Sequence, residues 1–221
     1  MSLPRVNYLK NITRTGYDLV SKPYNIRSIF TQELAYNSSL GNGTVLLDCS
    51  TVESGALYFE ANLTNLSPST AQGVMNFTFS SSVSGEFING GTSPAGDTSL
   101  WLDRGNTYAF DNPYFTNKFS TSAIYSGDAN GTWTISAVID HSIFEIFLND
   151  GEHAGTMTYY ADYPLDIMRF AAAGVAANAT VSVGVWALED TWASQADANG
   201  TVLGNVTSSG SGNATGYRMM F

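Results

Sequence analysis

Four carboxylates gather within a dozen residues of one another: Asp140, Glu145, Asp150 and Glu152. Glycoside hydrolysis uses two such groups roughly 5–10 Å apart, one as acid and one as nucleophile or base. The surrounding pattern argues against that use. Residues 133–139 and 143–148 read as the two strands of a hairpin around Asp140-His141-Ser142. Asp140 and Asp150 then fall at opposite ends of the hairpin, and Glu145 falls mid-strand between Phe144 and Ile146. Asp150 and Glu152 share one turn, where Asp is expected on conformational grounds alone. No catalytic residue is assigned.

The other chemistry-bearing residues are as sparse. His141 and His153 stand in turn regions, and two histidines with one cysteine fall short of a zinc set unless carboxylates complete it. Asp-Ala-Asn-Gly-Thr occurs at 128–132 and 197–201 and opens like a calcium loop, but position 12 holds Ile139 or Ser208 where a bidentate Glu is required. There is no nucleophile elbow and no phosphate-cradling Gly loop. No metal and no cofactor are expected. Sugar stacking on exposed aromatics is the remaining binding chemistry, with Tyr58, Phe59, Trp101, Trp133, Tyr159, Tyr160, Trp186 and Trp192 on or beside strands. Most of these are expected in the core, where aromatics supply much of a sandwich's buried area.

The elements that would carry these residues are strands. Stretches at 6–9, 17–20, 44–48, 57–63, 74–79, 100–102, 107–110, 155–160 and 180–187 are short, apolar or alternating, and separated by Gly, Asn and Asp turns. Asp103-Arg104-Gly105-Asn106 reads as a four-residue hairpin loop, and 167–175 as strand despite its alanines. Many short strands at this spacing predict an all-β fold, a two-sheet antiparallel β-sandwich of jelly-roll or lectin-like type over residues 1–192. Residues 193–216, rich in Ser, Gly and Asn, read as a glycosylated linker or extension, and 217–221 as a C-terminal end too short for a lipid-anchor signal.

Charged residues are 13% of the 221, about half the usual share, and the net charge is −10. Nine Lys and Arg cannot neutralise a nucleic-acid backbone, and no apolar run is long enough to span a membrane, so neither partner is expected. Eleven of eighteen asparagines begin Asn-x-Ser/Thr, against roughly four expected by chance. N-glycosylation is expected at Asn11, Asn37, Asn42, Asn62, Asn76, Asn130, Asn178, Asn199, Asn205 and Asn213; Asn65 is set aside because Pro68 follows its sequon. The excess predicts a secreted, extracellular glycoprotein. Residues 1–4 do not resemble a signal peptide, which fits a segment of a longer precursor. Cys49 reads as a small buried hydrophobe on its strand, the alternative being a bridge to a missing part of that precursor.

Three blocks resemble a known family. They are Leu102-Asp103-Arg104-Gly105-Asn106, Asn112-Pro113-Tyr114-Phe115-Thr116-Asn117, and residues 139–152, which read Ile-Asp-His-Ser-Ile-Phe-Glu-Ile-Phe-Leu-Asn-Asp-Gly-Glu. In this order and spacing they resemble the C-terminal domain of glycoside hydrolase family 32, of the yeast and fungal invertase or inulinase type, over about residues 1–190. The resemblance implies a sandwich that packs on a catalytic β-propeller, stabilises it and takes part in oligomerisation. It implies that the catalytic motifs lie on the propeller, and none of them occurs in this chain. The module is thus expected to be non-catalytic, part of an enzyme acting on sucrose or fructans. Two rivals remain: a free-standing carbohydrate-binding sandwich and a structural cell-surface glycoprotein.

Overall fold

The computed structural model describes residues 3–12, 16–67, 71–95, 100–110, 112–122 and 131–189. The expectations for Trp192, Asn130, Asn199, Asn205, Asn213 and everything from 193 onward lie outside them. A hairpin of β1 (Arg5–Ile12) and β2 (Gly16–Pro23) comes first, followed by a 3-10 turn at Ile26–Ile29. Twelve strands then build the body. They are β3 (Phe30–Asn37), β4 (Thr44–Asp48), β5 (Ala56–Thr64), β6 (Val74–Ser80), β7 (Phe87–Thr92), β8 (Leu100–Asn106), β9 (Lys118–Thr121), β10 (Trp133–Asp140), β11 (Ile143–Leu148), β12 (His153–Thr158), β13 (Ile167–Ala173) and β14 (Thr180–Leu188).

They form two six-stranded antiparallel sheets, ordered β12-β11-β10-β5-β14-β3 and β4-β13-β6-β7-β8-β9. Pairing of β14 with the edge strand β3 carries two register shifts, after Val185 and after Ala187. The predicted all-β sandwich is therefore the observed fold.

Period-2 alternation turns one face of each strand inward. Phe59 and Leu63 of β5, Ile135 of β10, Phe144 and Ile146 of β11 and the valines of β14 meet Met75, Phe77 and Phe79 of β6 and Met168 and Phe170 of β13. Rings from opposite sheets touch, Phe59 to Phe77 at 5.1 Å and Phe77 to Phe144 at 5.3 Å between centroids. Each such side chain, fully buried, contributes about 1.5–3 kcal/mol. The Trp133 indole N–H donates to the Thr92 hydroxyl at 2.8 Å, a polar link across the core from β10 to β7. Outside the first sheet a second apolar cluster joins Ala56, Tyr58, Val138 and Leu188 with Leu3, Ile26, Ile29, Phe30 and Trp186.

Two expectations about elements are corrected. Asp103-Arg104-Gly105-Asn106 is not a loop: β8 runs through it, paired with β7 and, from Leu100 to Asp103, with β9. The Arg104 guanidinium holds the strand by donating to the carbonyls of Thr158 and Thr116. Residues 107–110 consequently lie beyond the strand, not in it. The Gly-rich strand β7 was not foreseen, because Gly90 and Gly91 break the pattern. A Cβ on Gly90 would stand 2.4 Å from the Phe77 ring and 2.6 Å from the Trp101 carbonyl, so the close approach requires glycine.

Candidate functional site

The hairpin of β10 and β11 separates the clustered carboxylates as its pattern predicts. Asp140 closes β10 and accepts from Nδ1 of His141 at 2.6 Å. Asp150 lies beyond the far end of β11, at least five residues of strand away, or about 17 Å. There Asn149, Asp150 and Gly151 all have positive φ (49°, 57° and 93°), so Asp150 serves a tight left-handed turn. Glu152 beside it pairs with Lys10 at 2.5 Å and accepts from Nδ2 of Asn149 at 3.1 Å. His153 opens β12 and contacts the Thr121 hydroxyl, whereas His141 sits at the other end of β11. The two rings are not brought together.

Glu145 is the carboxylate with structural consequence. It is 1% exposed on the outer face of β11. One oxygen accepts from the Leu3 backbone N–H at 2.7 Å, and the other from the Arg5 guanidinium at 2.5 Å. Arg5 also donates to the Thr156 hydroxyl at 2.8 Å and lies 5.0 Å over the Phe147 ring. A buried carboxylate so held fastens the leading segment to the sheet. Its use as acid or base would release that segment. The β1–β2 hairpin continues the contact: Val20 is fully buried, and a Cβ on Gly151 would stand 2.2 Å from the Ser21 carbonyl oxygen. The other side of the hairpin turns Leu9, Leu19 and Tyr17 outward, 68%, 58% and 73% exposed, with Leu9 paired directly to Leu19.

The aromatics foreseen as a platform mostly fill other roles. Phe59, Trp133, Tyr58 and Tyr159 are buried, burial pushing the Tyr58 and Tyr159 phenols up. Trp186 stacks on Phe30 at 5.1 Å, and Trp101 is half-buried. Tyr160 alone of the described ones is markedly exposed, and it belongs to a group sequence reasoning missed, with Tyr108, Phe110, Tyr114 and Tyr163. The closely spaced aromatics Tyr108, Phe110, Tyr114 and Phe115 around Asn112-Pro113 were the available signal.

Cys49 lies just past β4, buried in the main core and free. Burial, with the Asp48 charge, pushes its thiol up to about 11. Of the described sequon asparagines, Asn11, Asn37, Asn76 and Asn178 are exposed. Asn42 is exposed too, but its amide accepts from and donates to the Val175 backbone. Asn62 is half-buried on the central strand β5, bonded to Thr134 and Glu60.

The profile of the glycosyl hydrolases family 32 C-terminal domain matches residues 25–187. Invertase 2 of Saccharomyces cerevisiae is 34% identical over 68 residues, covering 28% of this chain and 13% of that protein. An invertase of Debaryomyces hansenii is 40% identical over 53 residues, covering 23% of this chain and 10% of its own. The fold is similar to that of an exo-inulinase from Aspergillus awamori (TM-score 0.66, 20% identity, 86% of this chain and 36% of that one). It is equally similar to a β-fructofuranosidase from Schwanniomyces occidentalis (TM-score 0.64, 19% identity, 85% and 40%). The chain thus spans well under half the length of these relatives. It belongs to the family of glycosyl hydrolase family 32 C-terminal domains.

Proposed function

We propose that this chain is the non-catalytic C-terminal sandwich of a secreted β-fructofuranosidase acting on sucrose or fructans, and that it stabilises a catalytic β-propeller. The family match over residues 25–187 carries the reading. Two features support it. The clustered carboxylates are occupied by turn and latch roles, and the hairpin presents Leu9, Tyr17 and Leu19 to solvent, an apolar face that a neighbouring domain would cover. Oligomerisation would draw on the same kind of surface. Glycans on Asn11, Asn37 and Asn178 suit an extracellular enzyme.

The test is release of glucose and fructose from sucrose and inulin, by the chain alone and with a separately produced family 32 propeller. The chain alone is expected to be inactive. Added propeller is expected to gain thermal stability, and Leu9→Ser with Leu19→Ser to remove that gain. Turnover by the purified chain, free of contaminating invertase, would overturn the reading.

A further inference from the structure

Three charged side chains are buried among the described residues. Glu145 latches the leading segment; the other two, Glu86 and Arg104, hold the exposed aromatic loops and do not pair with each other. Glu86 accepts from the backbone N–H of Tyr108 at 2.8 Å through one oxygen and of Asp162 at 2.9 Å through the other, with the Ser84 hydroxyl at 2.7 Å. It therefore ties the segment carrying Tyr108 and Phe110 to the one carrying Tyr160 and Tyr163. The Ala109 N–H adds a bond to the Tyr160 carbonyl at 3.0 Å. Arg104 packs its guanidinium 3.4 Å from the Phe115 centroid and donates to the Thr116 carbonyl at 2.7 Å, fixing the loop after Asn112. Phe110, Phe115 and Tyr160 then meet one another, with centroids 5.2–6.0 Å apart. Burying a charge is costly unless it is bonded, so loops held by two such groups are preorganised rather than merely exposed.

Beside this aromatic group is a cleft of about 330 Å³ whose lining includes Tyr108, Phe110, Phe115, Asn112 and Asn117. That volume is within the range of small-ligand sites. Among the described residues, none of its lining side chains is charged at neutral pH. Asn112 uses Oδ1 to accept from the Tyr114 N–H, and among the described residues neither its Nδ2 nor that of Asn117 has a hydrogen-bond partner. Aromatic faces set among unused amide donors match a ligand with apolar C–H faces and ring hydroxyls. The described lining has no cation for an anionic ligand, and the chain's net charge of −10 disfavours one further.

We propose that the cleft formed by Tyr108, Phe110, Asn112, Phe115 and Asn117 binds a neutral oligosaccharide. The choice of a fructose-containing one rests on the function proposed above; the cleft itself does not. Glu86 and Arg104 act as positioning residues.

The test is calorimetric or NMR titration of the whole chain with an inulin-type fructo-oligosaccharide, and separately with gluco- and manno-oligosaccharides. Tyr108→Ala combined with Phe110→Ala should lower the melting temperature by only a few degrees, through the lost contacts of Phe110 with Phe115 and Tyr160, and weaken binding at least tenfold. Glu86→Gln should weaken it less, through loosened loops. Binding of the fructo-oligosaccharide that the double variant loses supports the site and its link to the parent enzyme. The same behaviour with a gluco- or manno-oligosaccharide alone supports the site and cuts that link. No binding of any sugar, affinity unchanged in the double variant, or self-association through these residues without sugar binding would overturn the proposal.

Discussion

Replacing Glu145 by alanine removes the acceptor of both the Leu3 N–H and the Arg5 guanidinium, at a site that excludes water. Breaking a buried pair by deleting one partner costs about 3–5 kcal/mol. Arg5 retains 20% exposure and can recover some hydration, which places the expected loss near the lower end, about 3 kcal/mol. For a chain of this size that lowers the melting temperature by about 6–12 °C. Arg5→Ala should cost a comparable amount, because it removes the guanidinium bonded to the buried Glu145 carboxylate and its contact with the Phe147 ring. The double variant should cost less than the sum, with a coupling of about 1–3 kcal/mol. Urea unfolding of the four proteins provides the cycle, and limited proteolysis within 13–15 reports whether the hairpin has come away. Single-variant losses below about 0.5 kcal/mol, the range of exposed pairs, would refute the assignment of a buried latch.

Acid should destabilise the fold through Glu86 and Asp166. Burial alone would raise both, but bonds from Ser84, Tyr108 and Asp162 to Glu86, and from Ser82 to Asp166, outweigh it and hold both carboxyls below their ordinary values of 4.5 and 3.8. Their contribution is complete above those values and is lost as pH falls through the lower folded ones, so Glu86→Gln should flatten the acid limb of a melting-temperature profile. Cys49 should resist a thiol reagent in the native state and react promptly in urea, its thiol being buried and shifted to about 11; rapid native labelling would contradict its placement. Gly151→Ala adds a methyl that would meet the Ser21 carbonyl at 2.2 Å in a left-handed turn, and should cost about 1–3 kcal/mol in denaturation while loosening the hairpin. Glycopeptide mapping after secretion from yeast should find glycan at Asn37 and Asn178 and little at Asn62, whose amide is engaged on a central strand.

What the sequence disclosed follows the range of the interactions involved. The β10–β11 hairpin was legible because two short apolar, β-branched and aromatic runs on either side of a turn at Asp140-His141-Ser142 are local signals. Glu145 was correctly placed mid-strand, but its partner lies 140 positions away, and no spacing rule connects them. The turn-like residues of 103–106 form strand because Arg104 finds one carbonyl at the end of β12, 54 positions away, and the other carbonyl and its ring at Thr116 and Phe115, outside the reach of a local turn pattern. The edge strand β3 was passed over since its polar start, Thr31-Gln32-Glu33, shows no alternation. The aromatic group at 108–115 was hidden by the same misplaced loop, which turned Thr107 and its neighbours into an expected strand.

Among the described residues four strands have a neighbour on one side only: β3 and β12 in one sheet, β4 and β9 in the other. An open flank is a template on which another chain can add a strand, the route to domain swapping and fibres. Here β9 has four residues and begins with Lys118, β4 has five and ends in Asp48, and β3 is thrown out of register twice against β14. None of these three offers the long, flat, regular ladder that an incoming strand needs; β12, six residues in unbroken register with β11, carries no such interruption. Backbone zippering is therefore disfavoured at three of the four edges, where any association would fall to side-chain surfaces that can close on themselves into a finite assembly.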